Sequence, residues 1–235
     1  MTQAATVLRD RQTPLRERQR VLRSRDRFWR PEDLKGSAST KQHLLASLVE
    51  EGELRRIRRG LYWRGGKSPI GMGYPRTEVL VHELAPGPGV GPSGLSASNL
   101  LRLSTQVPRK AHIAVPYRAP EYSSDIAFHA RSSRRARASA ALTPLEVALL
   151  EALEQWKKTV ELPPAEAWAR FQMLIRGEQI RPEKLAQAAR TEPGSVRARL
   201  RELLSSTGRD DLAQRIPAPD SRTANEALKI VRDAA

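Results

Sequence analysis

The sequence predicts an α+β protein: an N-terminal winged helix-turn-helix over residues 1–66, then a mixed α/β middle and a helical C-terminal region that share one domain, residues 67–235. Three observations predict it. Leu44, Leu45, Leu48 and Val49 recur at helical spacing, stop at Gly52, and are followed at once by two short β-prone stretches split by Arg58-Arg59-Gly60. Apolar and polar residues alternate through Ala111-His112-Ile113-Ala114-Val115, and Ile126-Ala127-Phe128-His129 offers a strand to pair with it. From Thr143 onward apolar residues keep helical spacing and no strand signal interrupts them.

In the first domain, Thr13-Pro14 opens a helix: the hydroxyl caps free amides, and proline suits a first position whose N–H would be unbonded anyway. Leu15, Val21 and Leu22 form its thin apolar stripe, and Phe28 and Trp29 are candidate core residues. Pro31-Glu32-Asp33-Leu34 reads as a short second helix with acids in its first turn, where the helix dipole favours them. Gly36-Ser37-Ala38 is turn material. A third helix is predicted from a Ser39 cap to just before Gly52, the glycine providing a left-handed stop. Leu54 to Ile57 and Leu61 to Trp63 are then the strands of a hairpin.

Gly65-Gly66 and Pro69 mark a domain joint, with a helix near 76–84 beyond it. Gly89, Gly91 and Gly94 match G-x-G-x-x-G by letter. Pro92 inside that loop, a helix rather than a strand before it, and the lack of an acid about 20 residues on argue against a dinucleotide site. A helix over Ser96 to Leu103 precedes Ser104-Thr105-Gln106-Val107-Pro108 and the two strands. The run RSSRRARAS (131–139) reads equally as a solvated loop or as a phosphate-contacting segment. Leu145, Leu149, Leu150, Leu153 and Trp156 form an apolar helical face, and further helices are predicted over 164–175, 181–190, 194–205 and 223–232.

The formal net charge is +15, unevenly spread. Residues 1–67 hold 17 Lys and Arg against 8 Asp and Glu, residues 109–137 hold 7 against 2, and residues 138–235 hold 15 against 14. Segregated positive charge attracts a polyanion. Nucleic acid is preferred over a membrane surface because no basic amphipathic helix with exposed aromatics is present. No run approaches the roughly 18 apolar residues that span a bilayer. MTQAATVLRDRQ lacks the apolar centre of a secretion signal. A cytoplasmic protein without membrane contact is expected. The absence of cysteine excludes disulfides and thiolate metal sites.

A polar-faced helix fits the DNA major groove, about 12 Å wide, with its N-terminal residues toward base edges. Ser39, Thr40, Lys41, Gln42, His43 and Ser47 are the candidate DNA-binding residues of the third helix; Gln42 suits adenine and Lys41 guanine. Arg55, Arg56, Arg58, Arg59 and Arg64 are the candidates around the hairpin, placed to hold phosphates or enter the minor groove. The same face also fits a merely solvated helix. No catalytic residue, metal site or cofactor is expected. His43, His82, His112 and His129 form no metal-spaced pair on one helix, and neither G-x-S-x-G nor G-x-x-x-x-G-K-[ST] occurs. His112 and His129, one on each strand, suit a hydrogen-bonded pair, and the carboxylates of 146–166 follow the spacing of a solvated helix face.

GELRRIRRGLYW (52–63) followed by GPSGLSASNLLRLSTQVPRKAHIAVP (91–116) resembles the AbiEi-type antitoxins of bacterial toxin–antitoxin pairs. The first block resembles the family's wing pattern, G-x-L-x-x-I-x-x-G-x-Y; the second resembles a helix of small residues running into T-Q-x-P and a strand. LTPLEVALLEALEQW (142–156) is similar to the family's later helix, so the likeness covers about residues 12–156. Where the family more commonly has S-H-x-S-A-L, this chain has Ser93-Gly94-Leu95-Ser96-Ala97-Ser98-Asn99-Leu100. The resemblance implies a DNA-binding antitoxin. Its N-terminal domain would repress its own operon through double-stranded operator DNA, and its C-terminal domain would oppose a nucleotidyltransferase-like toxin. The residues alone leave two alternatives open: a stand-alone ligand-responsive winged-helix regulator with residues 75–235 as sensor, and an enzyme delivered to DNA by the first domain.

Overall fold

A computed structural model describes residues 14–69, 71–122 and 124–232. The chain is α+β and divides into two compact units, one up to Leu80 and one from Val81. The predicted Thr13 cap lies outside the described residues. Among these residues no helix is long and apolar enough to cross a membrane.

In the first unit, helix α1 (14–23) leads to strand β1 (Arg27–Trp29), a single 3-10 turn (Pro31–Asp33), helix α2 (Ala38–Glu50), and strands β2 (Arg55–Arg58) and β3 (Leu61–Arg64). β3 is the middle strand, antiparallel to both β1 and β2. The leucine spacing turns Leu45 and Leu48 onto Val21, Trp29, Leu34 and Leu54, which form the core. Phe28 and Trp29 thus sit in a strand that the sequence did not announce, since three residues are too few to show alternation. Trp29 is fixed by a 2.9 Å hydrogen bond from its indole N–H to the Ser24 hydroxyl, and Arg27 lies 4.4 Å over its ring. The segment expected as a second helix is one 3-10 turn, closed by the Arg30 amide donating to the Asp33 carboxylate at 2.7 Å.

The cap of α2 is Ser37, not Ser39. The Ser37 hydroxyl accepts the Thr40 amide at 3.2 Å and shares a 2.8 Å hydrogen bond with the Thr40 hydroxyl, leaving Ser39 exposed in the first turn. Gly52 does end the helix, with φ +69, and the amides of Glu53 and Leu54 turn back to the Leu48 carbonyl. The unit then continues past the joint expected at 66. Lys67–Ser68 (β4) and Gly71–Met72 (β5) form an antiparallel ribbon tied to the hairpin region. Lys67 pairs with Glu53 at 2.5 Å, and Arg55 donates twice to the Met72 carbonyl, at 2.9 and 2.6 Å. The unit boundary falls instead inside helix α3 (Thr77–Leu84).

The second unit holds a sheet of β6 (Gly91–Pro92), β7 (Ala111–Val115) and β8 (Ile126–Ala130), with β7 antiparallel to β6 and parallel to β8. Helix α4 (Gly94–Leu100) lies between β6 and β7 in sequence. After β8 come α5 (Ala136–Ser139), α6 (Pro144–Glu154), α7 (Trp156–Thr159), α8 (Pro164–Arg176), α9 (Pro182–Ala188), α10 (Gly194–Ser206), α11 (Asp210–Arg215) and α12 (Ser221–Arg232). Thr143 and Glu146 close a reciprocal capping box at the start of α6, and Val147 to Leu153 are buried around the whole helix. Gly91 permits this packing: a Cβ there would lie 2.7 Å from the Val147 Cβ and 2.8 Å from the Pro144 carbonyl oxygen. A Cβ on Gly89 would likewise lie 2.7 Å from the Ala138 nitrogen, so two of the three glycines that match a nucleotide-binding pattern by letter serve close packing.

Two expectations for this half are corrected. The basic run 131–137 is neither a solvated loop nor a free phosphate-contacting segment, and the acids at 146 and 151 are not on a solvated face. Arg137 is completely buried and donates to Glu192 at 2.7 and 2.8 Å and to Glu151 at 2.7 Å. Glu151 also receives Arg131 at 3.0 and 2.8 Å and Arg134 at 3.0 Å, while Arg134 grips Glu154 at 2.7 and 2.5 Å. Glu146 accepts from Arg181 at 2.7 Å through each of its oxygens. Helix-surface spacing cannot register partners supplied from elsewhere in the chain. The S-T-Q segment has a comparable role: the Ser104 hydroxyl at 2.7 Å, the Thr105 amide at 2.9 Å and the Gln106 side chain all donate to Glu161.

Candidate nucleic-acid interface

α2 presents one polar stripe to solvent. Ser39, Gln42, His43, Ala46 and Glu50 are exposed, opposite the buried Leu45 and Leu48. Of the six candidates on this helix, Ser39, Gln42 and His43 are therefore fully available. Thr40 is half-buried and engaged with Ser37; Lys41 is half-buried at the edge of the stripe. Ser47 is also half-buried, its hydroxyl donating to the Leu44 carbonyl at 3.1 Å. The C-terminal end of the helix is held by Arg18, which donates to both carboxylate oxygens of Glu51 at 2.9 and 2.5 Å.

The five arginines separate into two groups. Directly opposed residues of an antiparallel pair share a face, so Arg55, Trp63 and Phe28 lie on one side of the sheet and Arg56, Tyr62 and Trp29 on the other. Arg55 is occupied: besides its bonds to Met72, its guanidinium lies 3.7 Å over the Tyr74 ring. Arg64 is occupied as well. Its side chain is 14% exposed, and Nη2 lies 3.2 Å from Glu53 and 3.4 Å from the Leu22 carbonyl. These two are corrected from candidate phosphate ligands to parts of the unit's own framework. Arg56, Arg58 and Arg59 are exposed and, among the described residues, pair with no carboxylate. Arg58 and Arg59 stand at the hairpin turn, next to a register shift between Arg56 and Arg58 that bends the strand.

Arg23, Arg25 and Arg27, at the end of α1 and the start of β1, are also exposed cations of this unit that the pattern of helix and hairpin did not single out. No spacing rule marks them, because they lie on a helix end, a loop and an edge strand.

Among the described residues no group of three or more His, Cys, Asp or Glu could hold a metal ion. His112 Nδ1 lies 3.0 Å from His129 Nε2, with the rings 5.1 Å apart and nearly parallel. Burial holds His129 below the usual histidine range, and the neighbouring His112 and Arg131 charges act in the same direction. One ring nitrogen donating and the other accepting satisfies this geometry.

Comparison with protein-family profiles and with curated proteins finds no match. Among solved structures the chain is similar to the crystal structure of the RV2827C protein from Mycobacterium tuberculosis, with 16% identity and a TM-score of 0.53 over 86% of this chain and 81% of that one. At that identity the likeness concerns the fold alone.

Proposed function

We propose that the first unit is a winged helix-turn-helix that binds duplex DNA, and that the protein is a DNA-binding antitoxin of the AbiEi type. On this reading it represses its own operon and counteracts a nucleotidyltransferase-like toxin. One observation carries the DNA reading: the exposed polar stripe of α2 is followed directly by a hairpin bearing Arg56, Arg58 and Arg59 without carboxylate partners. The order helix, strand, turn, helix, hairpin and the strand order β1-β3-β2 support it, as does the positive excess of residues 1–67. α2 would enter the major groove with Ser39, Gln42 and His43 toward the bases. The hairpin arginines would neutralise phosphates, each released counterion contributing about 0.9 to the salt slope. The antitoxin part rests on the resemblance of residues 91–116 and 142–156.

The test is a binding series over a range of salt, using the promoter fragment upstream of the gene and a scrambled control. Arg58→Gln and Arg59→Gln are each expected to weaken binding to both DNAs and reduce the salt slope by about one. Gln42→Ala is expected to leave the slope unchanged and cost roughly 1–3 kcal/mol at one base position. If the two kinds of substitution behave alike, α2 is not the reading helix. Co-expression with a toxin encoded beside it, where such a reading frame exists, tests the antitoxin half.

A further inference from the structure

The second unit contains a cleft of about 790 Å³, a volume suited to a small molecule. Five cations line it, Arg131, Lys157, Lys158, Arg199 and Arg222, against two carboxylates, Glu154 and Glu226. Both carboxylates are already used: Glu154 by Arg134, and Glu226 by Lys157 and Lys229. Arg131 is likewise taken by Glu151. Lys158, Arg199 and Arg222 are left with no carboxylate in ion-pairing range among the described residues.

Arg199 is the telling member. It is 6% exposed, and its Nε and Nη1 donate only to the carbonyl oxygens of Ala227 and Leu153, at 3.0 and 2.5 Å. A buried cation without a hydrogen-bonded carboxylate is costly; the same unit gives its other buried guanidiniums, Arg134 and Arg137, carboxylate partners, whereas Arg199 has only the charge of Glu226 acting from beyond ion-pair distance. Burial pushes Arg199 below the ordinary arginine value, but a guanidinium keeps its proton at neutral pH. Two helices also begin at this cleft. Ser195 lies in the first turn of α10, whose partial positive end adds to the same sign of field; the first turn of α12 is instead capped by Asp220, whose carboxylate accepts the Thr223 amide at 2.8 Å.

We propose that this cleft binds a small phosphate-bearing molecule of nucleotide size, with a terminal phosphate supplying the direct anionic partner that Arg199 lacks and Lys158 and Arg222 holding it from the rim. Three cations without a carboxylate in ion-pairing range match the charge of a phosphomonoester or diphosphate, about −1.5 to −2 per terminal phosphate, better than a single carboxylate. The guanidinium fork suits phosphate oxygens. A recessed arginine is within reach of a terminal phosphate and out of reach of phosphates that link a duplex backbone. The inference stands independently of the DNA reading.

The full chain is titrated by calorimetry with inorganic pyrophosphate and with ADP, GDP, CDP and UDP, and a short DNA duplex forms a separate arm. Saturable binding of at least one diphosphate with a Kd of about 1 mM or tighter is expected. The double variant Lys158→Gln/Arg222→Gln changes exposed side chains and is expected to weaken that binding about tenfold or more. Arg199→Met retains an unbranched stem of similar length and is expected to abolish it, with circular dichroism checking the fold. If Arg199→Met fails to fold, the double variant decides. Folded wild type that binds none of these probes, a double variant that binds like wild type, or a duplex as the sole species sensitive to these substitutions overturns the proposal. Arg58→Gln, which attacks the DNA reading, is expected to leave diphosphate binding unchanged.

Discussion

Replacing Arg137 by methionine keeps a long unbranched side chain and removes three hydrogen bonds in a site without solvent. The two acids it serves do not suffer equally. Glu151 retains Arg131 and Arg134. Glu192 is left with Arg134 Nε at 3.7 Å, within ion-pair range but beyond a hydrogen bond. One buried carboxylate is therefore stranded, and breaking a buried pair from one side costs about 3–5 kcal/mol. Arg131→Gln is a graded control. Its side chain is 21% exposed and Glu151 keeps two other arginines, so about 1 kcal/mol is expected. Native-state hydrogen exchange is the assay, because amides of α6 report on the second unit and amides of α2 on the first. Arg137→Met should lower the opening free energy of α6 and leave α2 unchanged, and adding Glu192→Gln should restore part of the loss by removing the stranded charge. A loss below about 1 kcal/mol, the range of an exposed pair, refutes the reasoning. So does a double variant no better than the single one.

Three further outcomes follow from local geometry. Ser37→Ala removes the α2 cap and should cost about 1 kcal/mol in thermal or urea denaturation. Ser39→Ala should stay within about 0.5 kcal/mol; equal effects would return the cap to Ser39. Gly91→Ala places a methyl against Val147 and Pro144 and should cost about 1–3 kcal/mol by overpacking, seen as a lower Tm. Hydrogen bonds from Ser104, then Thr105 and Gln106, hold the Glu161 carboxyl below its ordinary value of 4.5. Its ordering of the S-T-Q segment is therefore complete above that pH and lost as pH falls through the lowered value. The protection factor of the Thr105 amide, taken against the intrinsic exchange rate at the same pH, should fall on acidification, and in Glu161→Gln at neutral pH; a Gln variant that protects Thr105 as well as wild type would discount the charge.

What the sequence made legible is what depends on neighbours in the chain. Leu45 and Leu48 betray the buried side of α2 because helical period alone puts them there, and Gly52 betrays its end because only a left-handed residue fits. Thr143-Pro144 spells out a helix start, and α6 begins there. What stayed hidden depends on partners remote in sequence. Arg137 finds Glu192 and Arg181 finds Glu146 only through the tertiary fold, so both runs looked like solvated charge. Arg55 and Arg64 looked like their neighbours Arg56 and Arg58, but β5 and the Glu53 side chain claim them. The cleft left no local trace either, since Lys158, Arg199 and Arg222 come from three separate helical segments or their junctions.

The hairpin and the cleft bear on the choice between an antitoxin and a ligand-responsive regulator through linkage. A ligand shifts DNA affinity only as far as its own affinity differs between the two DNA-binding states, and the effect is reciprocal. A diphosphate that fills the cleft and changes promoter affinity must itself bind more tightly or more weakly when DNA is present. That pair of measurements, made on wild type and on Lys158→Gln/Arg222→Gln, would favour the regulator if the factors agree and vanish together in the variant. Promoter binding indifferent to a diphosphate that does occupy the cleft would leave Arg199 serving some task other than control of DNA binding. With growth rescue against a neighbouring nucleotidyltransferase-like toxin, that outcome favours the antitoxin. The discrimination turns on Arg199 because it, unlike the exposed arginines of the hairpin, is buried without a carboxylate in ion-pairing range.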